Sequence, residues 1–407
     1  MRVCAVLACA LFVLCACNHP LSGLGPVQLS APAGGSNLTR SEVSFSWREL
    51  AEAACYNLQV AADDDFERVI ADDTTEQTEV AVSLVTDGKY WWRVRARDAR
   101  GAWGGWSEVW DVSLVRFRII ASHKTQGYAQ DIWVADGRVY VADGQAGLSV
   151  FDVTSPEQPR LLGSIMDSLN EAWGVMVNGD YAHLAYGYKE LMTVNVSRPE
   201  SLKKVGELEY PQPGFGYDIA CQDSMVYIAA DAQFLVVNVR DPRYPNLVFQ
   251  SRYPRGLRGI CLSGNYCYLA LEQLGVAVWD ISAIPPTQVG SFDTPSNARG
   301  VAVQNNHLYV ADGRNGLIVA DVTHPPEPRI VASLSLAGYA NRISVADSLV
   351  YVGCSDAGLA VVNVKDPTAP VLAAQVSTNY TRGAEEYQGF VFCCDRDSGL
   401  VVIRKEE

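Results

Sequence analysis

Short apolar runs, each closed by one polar residue, recur from residue 117 to the end of the chain. Successive closing residues are 43, 43, 42, 41, 42 and 41 positions apart. Because the runs are short and rich in β-branched residues, this period indicates four-stranded propeller blades and not helical repeats. Seven runs therefore predict seven blades. The closing residues are Asp152, Asn195, Asn238, Asp280, Asp321, Asn363 and Arg404.

The first unit indicates the order of strands inside a repeat. Asp136-Gly137 separates its first two apolar runs, and glycine tolerates the positive φ that a tight hairpin requires. Pro156 follows the third run, where proline fixes φ and cannot extend the hydrogen-bond ladder. The unit therefore predicts four antiparallel strands. The four runs are residues 131–134, 139–142, 148–152 and 161–164.

The two ends of the repeat region complement each other. The last unit stops after its third strand, whereas an additional strand-like run, residues 117–121, precedes the first unit. We expect this run to form the outer strand of the last blade, because an unpaired blade edge invites pairing with other chains. Over residues 117–407 the repeat resembles the LVIVD-repeat family of bacterial surface proteins. The resemblance implies a β-propeller at a cell surface.

Residues 27–114 show a second pattern, in which apolar and polar residues alternate in short runs between turns. This alternation is typical of β-strands, so the fold class expected for the whole chain is all-β. The segment around Tyr90 resembles the corner between strands E and F of fibronectin type III domains. The resemblance implies that the Tyr90 hydroxyl bonds upstream backbone, while Trp47, Leu58 and Val94 fill the space between two sheets.

The same domain contains four further tryptophans that admit two interpretations. They form a face on which a carbohydrate stacks, or they take part in aromatic pairing across strands. Cross-strand pairing is the simpler explanation, and the domain is then expected to be a spacer. The residues are Trp91, Trp103, Trp106 and Trp110.

The start of the chain has the pattern of an export signal. One positive charge precedes an apolar stretch, residues 3–14, which is too short to cross a bilayer. Residues 14–17 read Leu-Cys-Ala-Cys and resemble the lipobox of bacterial lipoproteins, which implies cleavage and acylation at Cys17 and a membrane anchor in the cell envelope. By the same resemblance Asn18 favours the outer membrane, with residues 18–26 as a linker. A plain secretory signal is the alternative.

The chain has 407 residues, a formal net charge of −14 and a sequence pI near 4.9. Its length suits two or three domains. Because the body is acidic, nucleic acid is not an expected partner.

Seven cysteines follow the leader, and an odd number favours buried thiols over a disulfide framework. Cys261 and Cys267 flank a Ser-Gly-Asn turn and are the disulfide candidate. The adjacent pair Cys393 and Cys394 aligns with apolar residues of another unit, which favours packing over redox or metal chemistry.

The first strand of a propeller blade lies innermost, so residues just before its apolar core approach one end of the central channel. At that position the seven units place three arginines, two aromatic residues and two amides. Guanidinium groups pair with carboxylates and phosphates, and aromatic rings stack on ligands. An anionic ligand is therefore the sharpest functional hypothesis. The candidate residues are Gln130, Trp173, Tyr217, Arg258, Arg299, Asn341 and Arg382.

The alternative is that each arginine pairs with an acid of the protein, since polar groups in a channel must be satisfied with or without a ligand. Six of the seven candidates precede Asp or Gly, whereas Asn341 precedes Arg342. The acids considered as partners are Asp131, Asp218, Glu385 and Glu386.

Signatures of catalysis and of metal binding are sparse in the sequence. No metal-ligand spacing of His or Cys recurs, so no catalytic residue, metal or cofactor is assigned. Asp143-Gly144 and Asp312-Gly313 are candidate calcium loops, but equivalent positions in other units do not supply oxygen ligands. A turn-capping role is better supported.

These observations favour a membrane-anchored binding module whose propeller presents a face to a protein, peptide or glycan. The alternatives are a hydrolase or lyase that acts on an anionic polymer at the channel mouth, and a structural component of an envelope assembly. An unpaired carboxylate or histidine beside Arg258, Arg299 and Arg382 would favour the enzyme, because proton transfer needs such a group within about 3 Å.

Overall fold

A computed structural model describes residues 23–166, 170–187, 191–208, 215–254 and 256–406. The predicted signal peptide, the lipidation site Cys17 and the first part of the linker lie outside these ranges. The chain forms two compact units, of which the first comprises the chain up to Leu84 together with Gly88–Leu114. The second comprises Val85–Asp87 together with Val115–Glu407.

Strands dominate both units, and the short 3₁₀ helix Pro199–Ser201 stands between two of them. Within the described ranges, no helix has the length and apolar character needed to cross a membrane.

The first unit contains two sheets with a core between them. One sheet has the order β1-β3-β6, and the other has the order β2-β8-β7-β4-β5. Trp47 from the first sheet and Leu58 and Val94 from the second are buried in one cluster, as the sequence predicted. The strands are β1 (Leu29–Ala31), β2 (Ser36–Leu38), β3 (Glu42–Trp47), β4 (Ala53–Ala61), β5 (Val69–Thr75), β6 (Glu79–Ser83), β7 (Gly88–Asp98) and β8 (Trp110–Leu114).

Arginines of β7 alternate with the tryptophans of the following loop. The guanidinium carbon of Arg95 lies 4.6 Å from the ring centre of Trp103 and 4.3 Å from that of Trp106. Arg93 stacks on Trp106 at 4.3 Å, and Arg97 stacks on Trp103 at 5.1 Å. Cation–π contacts of this kind engage Trp103 and Trp106 with arginines of the same domain.

The described part of the second unit forms seven four-stranded antiparallel sheets. Six of them contain consecutive strands, namely β10 to β13, β14 to β17, β18 to β21, β22 to β25, β26 to β29 and β30 to β33, and the last has the order β34-β35-β36-β9. The strands are β9 (Phe117–His123), β10 (Asp131–Ala135), β11 (Arg138–Ala142), β12 (Leu148–Asp152), β13 (Arg160–Ile165), β14 (Ala172–Asn178), β15 (Tyr181–Tyr186), β16 (Leu191–Asn195), β17 (Lys203–Leu208), β18 (Gly216–Gln222), β19 (Met225–Ala230), β20 (Gln233–Asn238), β21 (Asn246–Arg252), β22 (Gly259–Ser263), β23 (Tyr266–Ala270), β24 (Val276–Asp280), β25 (Thr287–Phe292), β26 (Gly300–Gln304), β27 (His307–Ala311), β28 (Leu317–Asp321), β29 (Arg329–Leu334), β30 (Ile343–Ala346), β31 (Leu349–Gly353), β32 (Leu359–Asn363), β33 (Val371–Val376), β34 (Thr381–Tyr387), β35 (Phe390–Asp395) and β36 (Gly399–Lys405).

The first strand of each sheet contacts the first strand of the next, and β34 contacts β10. These inner strands therefore close into a ring around a channel. The additional strand β9 pairs with β36, with Ala121 opposite Val402, as the orphan run predicted. The turn between β10 and β11 is also the predicted one, since Asp136 and Gly137 have φ of 52° and 70°.

Apolar side chains pack between neighbouring sheets and hold the ring together. One cluster contains Val150 of the first sheet together with Val175 and Leu184 of the second, all almost fully buried. Cys393 and Cys394 are adjacent on β35 and belong to two different clusters, because successive strand residues point to opposite faces. Packing is therefore the role of this pair.

The predicted disulfide between Cys261 and Cys267 is wrong, because both residues are free thiols. In the hairpin of β22 and β23, Cys261 lies opposite Tyr268, while Cys267 lies opposite Leu262. The register offsets the two cysteines by one residue, so their side chains point to opposite faces of the sheet.

The buried carboxylates Asp143 and Asp312 cap the loops around them, as the sequence favoured. Asp143 accepts hydrogen bonds from the Thr125 hydroxyl at 2.6 Å and the Gly127 amide at 3.1 Å. Asp312 accepts from Thr294 at 2.7 Å and from the Ser296 amide at 2.9 Å. The carboxylate oxygens thus serve protein donors, which satisfies them without a cation.

Candidate functional site: the channel mouth

All seven side chains predicted from the repeat alignment line one small depression of about 30 Å³. They meet because each stands at the start of an inner strand or just before it. An eighth residue, Arg342, completes the lining. The mouth is defined by Gln130, Trp173, Tyr217, Arg258, Arg299, Asn341, Arg342 and Arg382.

Arg342 reaches from the sixth sheet to the first three sheets of the ring. Its Nη1 lies 2.7 Å from Asp218 Oδ1 and 3.2 Å from Asp131 Oδ1. Its Nη2 donates to the carbonyl oxygens of Trp173 at 2.8 Å and Tyr217 at 2.7 Å. Although burial opposes the charge, Asp131 and Asp218 raise the pKa of Arg342. Arg342 is therefore a charged plug inside the channel.

The repeat alignment did not select Arg342 as a site residue, although it contained the signal. Arg342 occupies the position where the other units have Asp or Gly, and only a residue with a long side chain spans the ring. Gly383 makes room for it, because a Cβ there would lie 2.8 Å from the Cβ of Arg342.

Two of the three predicted arginines share one carboxylate. Arg258 Nε donates to Glu272 Oε1 at 2.8 Å, and Arg299 Nη1 donates to the same oxygen at 2.6 Å. Although burial opposes the charge, Tyr217 and Glu272 raise the pKa of Arg258. Internal pairing thus holds for these two arginines, but Glu272 was not among the expected acids.

The four expected acids do not pair with the predicted arginines. Asp131 and Asp218 pair with Arg342, as described above. Glu385 accepts a hydrogen bond from the Val134 amide at 3.1 Å, and Glu386 accepts one from the Gly389 amide at 2.8 Å. The sequence did not predict these partners, because Arg342 belongs to another sheet and the other two donors are backbone amides.

Arg382 differs from Arg258 and Arg299, the other two arginines predicted from the sequence. Its Nε is buried and has no hydrogen-bond partner among the described residues. Burial, together with the charges of Arg342 and Arg299, lowers the pKa of Arg382. The side-chain amide oxygen Oε1 of the buried residue Gln130 likewise has no hydrogen-bond partner in the described part of the chain.

Aromatic rings surround these guanidinium groups. The Arg258 guanidinium carbon lies 3.9 Å from the ring centre of Tyr217, and that of Arg382 lies 5.4 Å from the ring centre of Trp173. Trp173 in turn makes edge contacts with Tyr217 at 5.3 Å and Phe215 at 5.5 Å. The mouth therefore combines four arginines with two aromatic rings, Trp173 and Tyr217, that contact each other.

Beyond Arg342 the channel widens into a cavity of about 340 Å³. This channel cavity is lined by residues of all seven inner strands, and Arg342 lines both it and the mouth. Three carboxyl groups of its lining bridge neighbouring inner strands. Asp131 accepts from the Val175 amide at 2.9 Å, Asp218 from the Ile260 amide at 3.0 Å, and Glu385 from the Val134 amide at 3.1 Å.

Two carboxyl groups of the channel cavity, those of Glu385 and Asp131, resist ionisation. Burial and, to a lesser degree, the negative charge of Asp131 raise the pKa of Glu385 to about 8. Burial also raises the pKa of Asp131 to about 7, against the opposing effect of Arg342. Burial removes water from a carboxyl group and so penalises its charged form, which explains why both pKa values are raised.

Six segments of the second unit match the LVIVD repeat, at residues 126–167, 170–208, 213–252, 255–294, 295–335 and 337–378. Together they cover more than half of the chain. The chain belongs to the LVIVD repeat family. The six LVIVD segments follow the first six sheets, whereas the last sheet combines β9 with strands beyond residue 378.

Similar solved structures support a repeat β-propeller fold for this LVIVD protein. A structure of U3-55K is 11% identical, has a TM-score of 0.58, and the match covers 71% of this chain and 98% of that one. The RRP9 WD40 repeats are 11% identical with a TM-score of 0.57, covering 71% and 97%. A computationally designed protein, Ika8, is 11% identical with a TM-score of 0.53, covering 70% and 99%. No curated protein matches the chain.

Proposed function

We propose that the chain is a lipid-anchored envelope protein whose seven-bladed propeller binds an acidic protein partner at the channel mouth. In this proposal Cys17 carries the lipid, and the two-sheet first unit is a fibronectin type III-like spacer. The closed ring of inner strands and the pairing of β9 with β36 support seven blades. The core around Trp47 supports the sandwich.

One observation carries the binding proposal: Arg382 has a buried Nε that meets no acceptor among the described residues. A buried donor without a partner costs about 1–3 kcal/mol, and a ligand carboxylate would recover that free energy. Arg258 and Arg299 add positive charge that Glu272 only partly balances. A carboxylate of the partner therefore meets a local positive site on an acidic protein.

The composition of the mouth favours a protein partner. Tryptophan, tyrosine and arginine are the residues that contribute most binding energy at protein interfaces. Trp173, Tyr217 and Arg382 stand together in the mouth, and their mutual contacts fix the side chains before a partner arrives. Pre-ordered side chains lose little conformational entropy on binding.

The same geometry weighs against the hydrolase or lyase alternative. Two guanidinium groups donate to Glu272 Oε1, and Arg258 Nη2 lies 3.8 Å from Asp231 Oδ1. Both carboxylates are thus paired with arginines, whereas a general base needs an oxygen that is free to accept a proton.

The binding proposal is tested by titrating the full chain with hexaglutamate, with hexaglutamine as the neutral control peptide. We expect hexaglutamate to bind and hexaglutamine not to bind, with an affinity that falls as salt is added. Arg382→Gln should weaken hexaglutamate binding about tenfold, since charge-assisted hydrogen bonds contribute about 1.5–3 kcal/mol. Arg396→Gln is the matched control, because Arg396 stacks on Tyr380 outside the mouth. Equal loss in both variants would contradict the proposal.

The anchor is tested separately by growing the producing cells with a labelled fatty acid. The wild-type chain should take up label and sediment with membranes, and Cys17→Ser should do neither. A labelled Cys17→Ser chain would refute lipidation at this cysteine.

A further inference from the structure

The channel cavity has the size and lining of a ligand site that the mouth proposal does not use. Its volume of about 340 Å³ lies within the usual range of about 300–1,000 Å³ for small-molecule pockets. Apolar side chains such as Met176, Leu262 and Val303 form part of its wall, but more of the accessible wall is polar than apolar. A ligand that combines a charged group with a short apolar part suits such a lining.

The charges around the channel cavity do not balance. Its lining contains three acids, Asp131, Asp218 and Glu385, and one base, Arg342. Arg342 contacts both aspartates, so one guanidinium serves two carboxyl groups. Glu385 lies in the same lining and accepts a hydrogen bond from a neutral amide, that of Val134. When Glu385 is ionised, it therefore lacks a cationic partner among the described residues.

The surroundings of Glu385 suit an organic cation. The Val134 amide that binds Glu385 belongs to the residue after Trp133, and Trp133 also lines the cavity. Tryptophan rings attract ammonium groups, by about 0.5–2 kcal/mol depending on desolvation. Calcium or magnesium would need several oxygen ligands, and no group of three His, Cys, Asp or Glu suited to a metal occurs in the described ranges.

We infer that the channel cavity binds a small organic ammonium ion, with Glu385 as its counter-charge, Trp133 beside the ammonium group and Met176 against its apolar part. The site lies beyond Arg342 from the mouth and does not depend on the proposed partner binding. An ammonium ion beside Glu385 stabilises the carboxylate, so a proton leaves Glu385 when the ligand enters.

The inference predicts a specific pH dependence. The titratable and charged groups of the cavity lining besides Glu385 are Asp131, Asp218, Arg342 and the thiols of Cys221 and Cys261. Burial raises the pKa of both thiols, so they stay neutral. Because burial raises the pKa of Glu385 to about 8, an ammonium ion must displace its proton below that pH and binds less tightly there.

The test is a titration of the full chain with n-butylammonium chloride and, separately, with n-butanol, at pH 8.5 and at pH 6. The ammonium stays protonated at both values, since alkylamines have a pKa of about 10. We expect butylammonium to bind at least about tenfold more tightly at pH 8.5, and butanol to bind equally at both. Calorimetry in two buffers of different ionisation enthalpy should show proton release at pH 6.

Three variants make the test specific. Glu385→Gln should weaken butylammonium binding at pH 8.5 by about tenfold and leave butanol binding unchanged, because it removes the charge and keeps the shape. Glu386→Gln is the matched control, since Glu386 does not line the cavity and accepts a hydrogen bond from the Gly389 amide. Arg382→Gln, which tests the mouth, should bind butylammonium like the wild type. Wild-type affinity in Glu385→Gln, or no butylammonium binding at pH 8.5, would overturn the inference.

Discussion

The two sides of Arg342 carry opposite chemistry although both are built from the same inner strands. The mouth contains arginines and aromatic rings, whereas the channel cavity contains carboxyl groups and apolar side chains. Neighbouring residues supply the two sides: Gln130 lines the mouth and Asp131 the cavity, and Tyr217 and Asp218 divide in the same way. Adjacent residues of one strand thus give the two sides of the channel different charge.

Arg342 makes this separation possible because it neutralises the acids at the boundary. Without it, Asp131 and Asp218 would confront each other in a place where burial already raises the pKa of Asp131 to about 7. The comparison therefore predicts that the boundary contributes most to stability, and that each side responds to its own substitutions.

The largest effect is expected for Arg342→Met. Removing one partner of a buried ion pair costs about 3–5 kcal/mol, because Asp131 and Asp218 stay buried without their counter-charge. Urea unfolding at pH 7 measures this loss, which should be smaller at pH 5, because burial raises the pKa of Asp131 to about 7 and that carboxyl is then protonated. Arg243→Met is the control, because its pair with Asp241 is fully exposed and solvent screening leaves it little effect on stability. Equal losses of unfolding free energy in the two variants would contradict a stabilising role for Arg342 in the channel.

Glu385 and Asp131 should make stability fall as pH rises. Burial raises the pKa of Glu385 to about 8 and that of Asp131 to about 7, so between pH 5 and 8 the folded chain binds more protons than the unfolded chain. The free energy of unfolding then decreases across this window. Glu385→Gln should flatten part of the slope and stabilise the chain at pH 8.5 by a few kcal/mol. An unchanged slope would contradict a buried Glu385 carboxyl.

Gly383→Ala should displace Arg342, because Gly383 lies on β34, the inner strand next to β30. The added Cβ would lie 2.8 Å from the Arg342 Cβ, and overpacking of this kind costs about 1–3 kcal/mol. Thermal unfolding measures the loss. Gly105→Ala is the control: a Cβ added there would have no neighbouring atom within 4 Å, so the melting temperature should change little.

The smallest effect is expected at the mouth. Glu272→Gln should release charge from Arg258 and Arg299 and tighten hexaglutamate binding by about threefold to tenfold, a change of about 1 kcal/mol. Glu327→Gln changes the net charge equally outside the mouth and controls for long-range effects. A weaker binding in Glu272→Gln would mean that Glu272 positions the arginines and does not compete with the ligand.

Several features of the fold were predictable from local patterns. The turn at Asp136-Gly137 and the strands of the first repeat followed from residue type and alternation, because hairpins depend on backbone preferences of a few residues. The mouth was predictable for a different reason. Repeats superimpose equivalent positions, so a column of the alignment becomes a ring of side chains around one axis.

Long side chains and registers were less predictable. Glu272 was missed because it follows the second strand of its sheet and reaches Arg258 of its own unit and Arg299 of the next. The disulfide prediction failed because a one-residue offset in register turned Cys261 and Cys267 to opposite faces. Sequence spacing does not contain such offsets.

The sequence by itself determined the repeat, the all-β class and the seven residues that meet at the mouth, because these depend on periodicity and on local strand preferences. Only the tertiary structure decided which charges neutralise each other. Arg342 crosses the ring to Asp131 and Asp218, while Arg382 meets no carboxylate among the described residues. Pairing across a channel depends on distance in space, and residues more than a hundred positions apart along the chain become neighbours only when the ring closes.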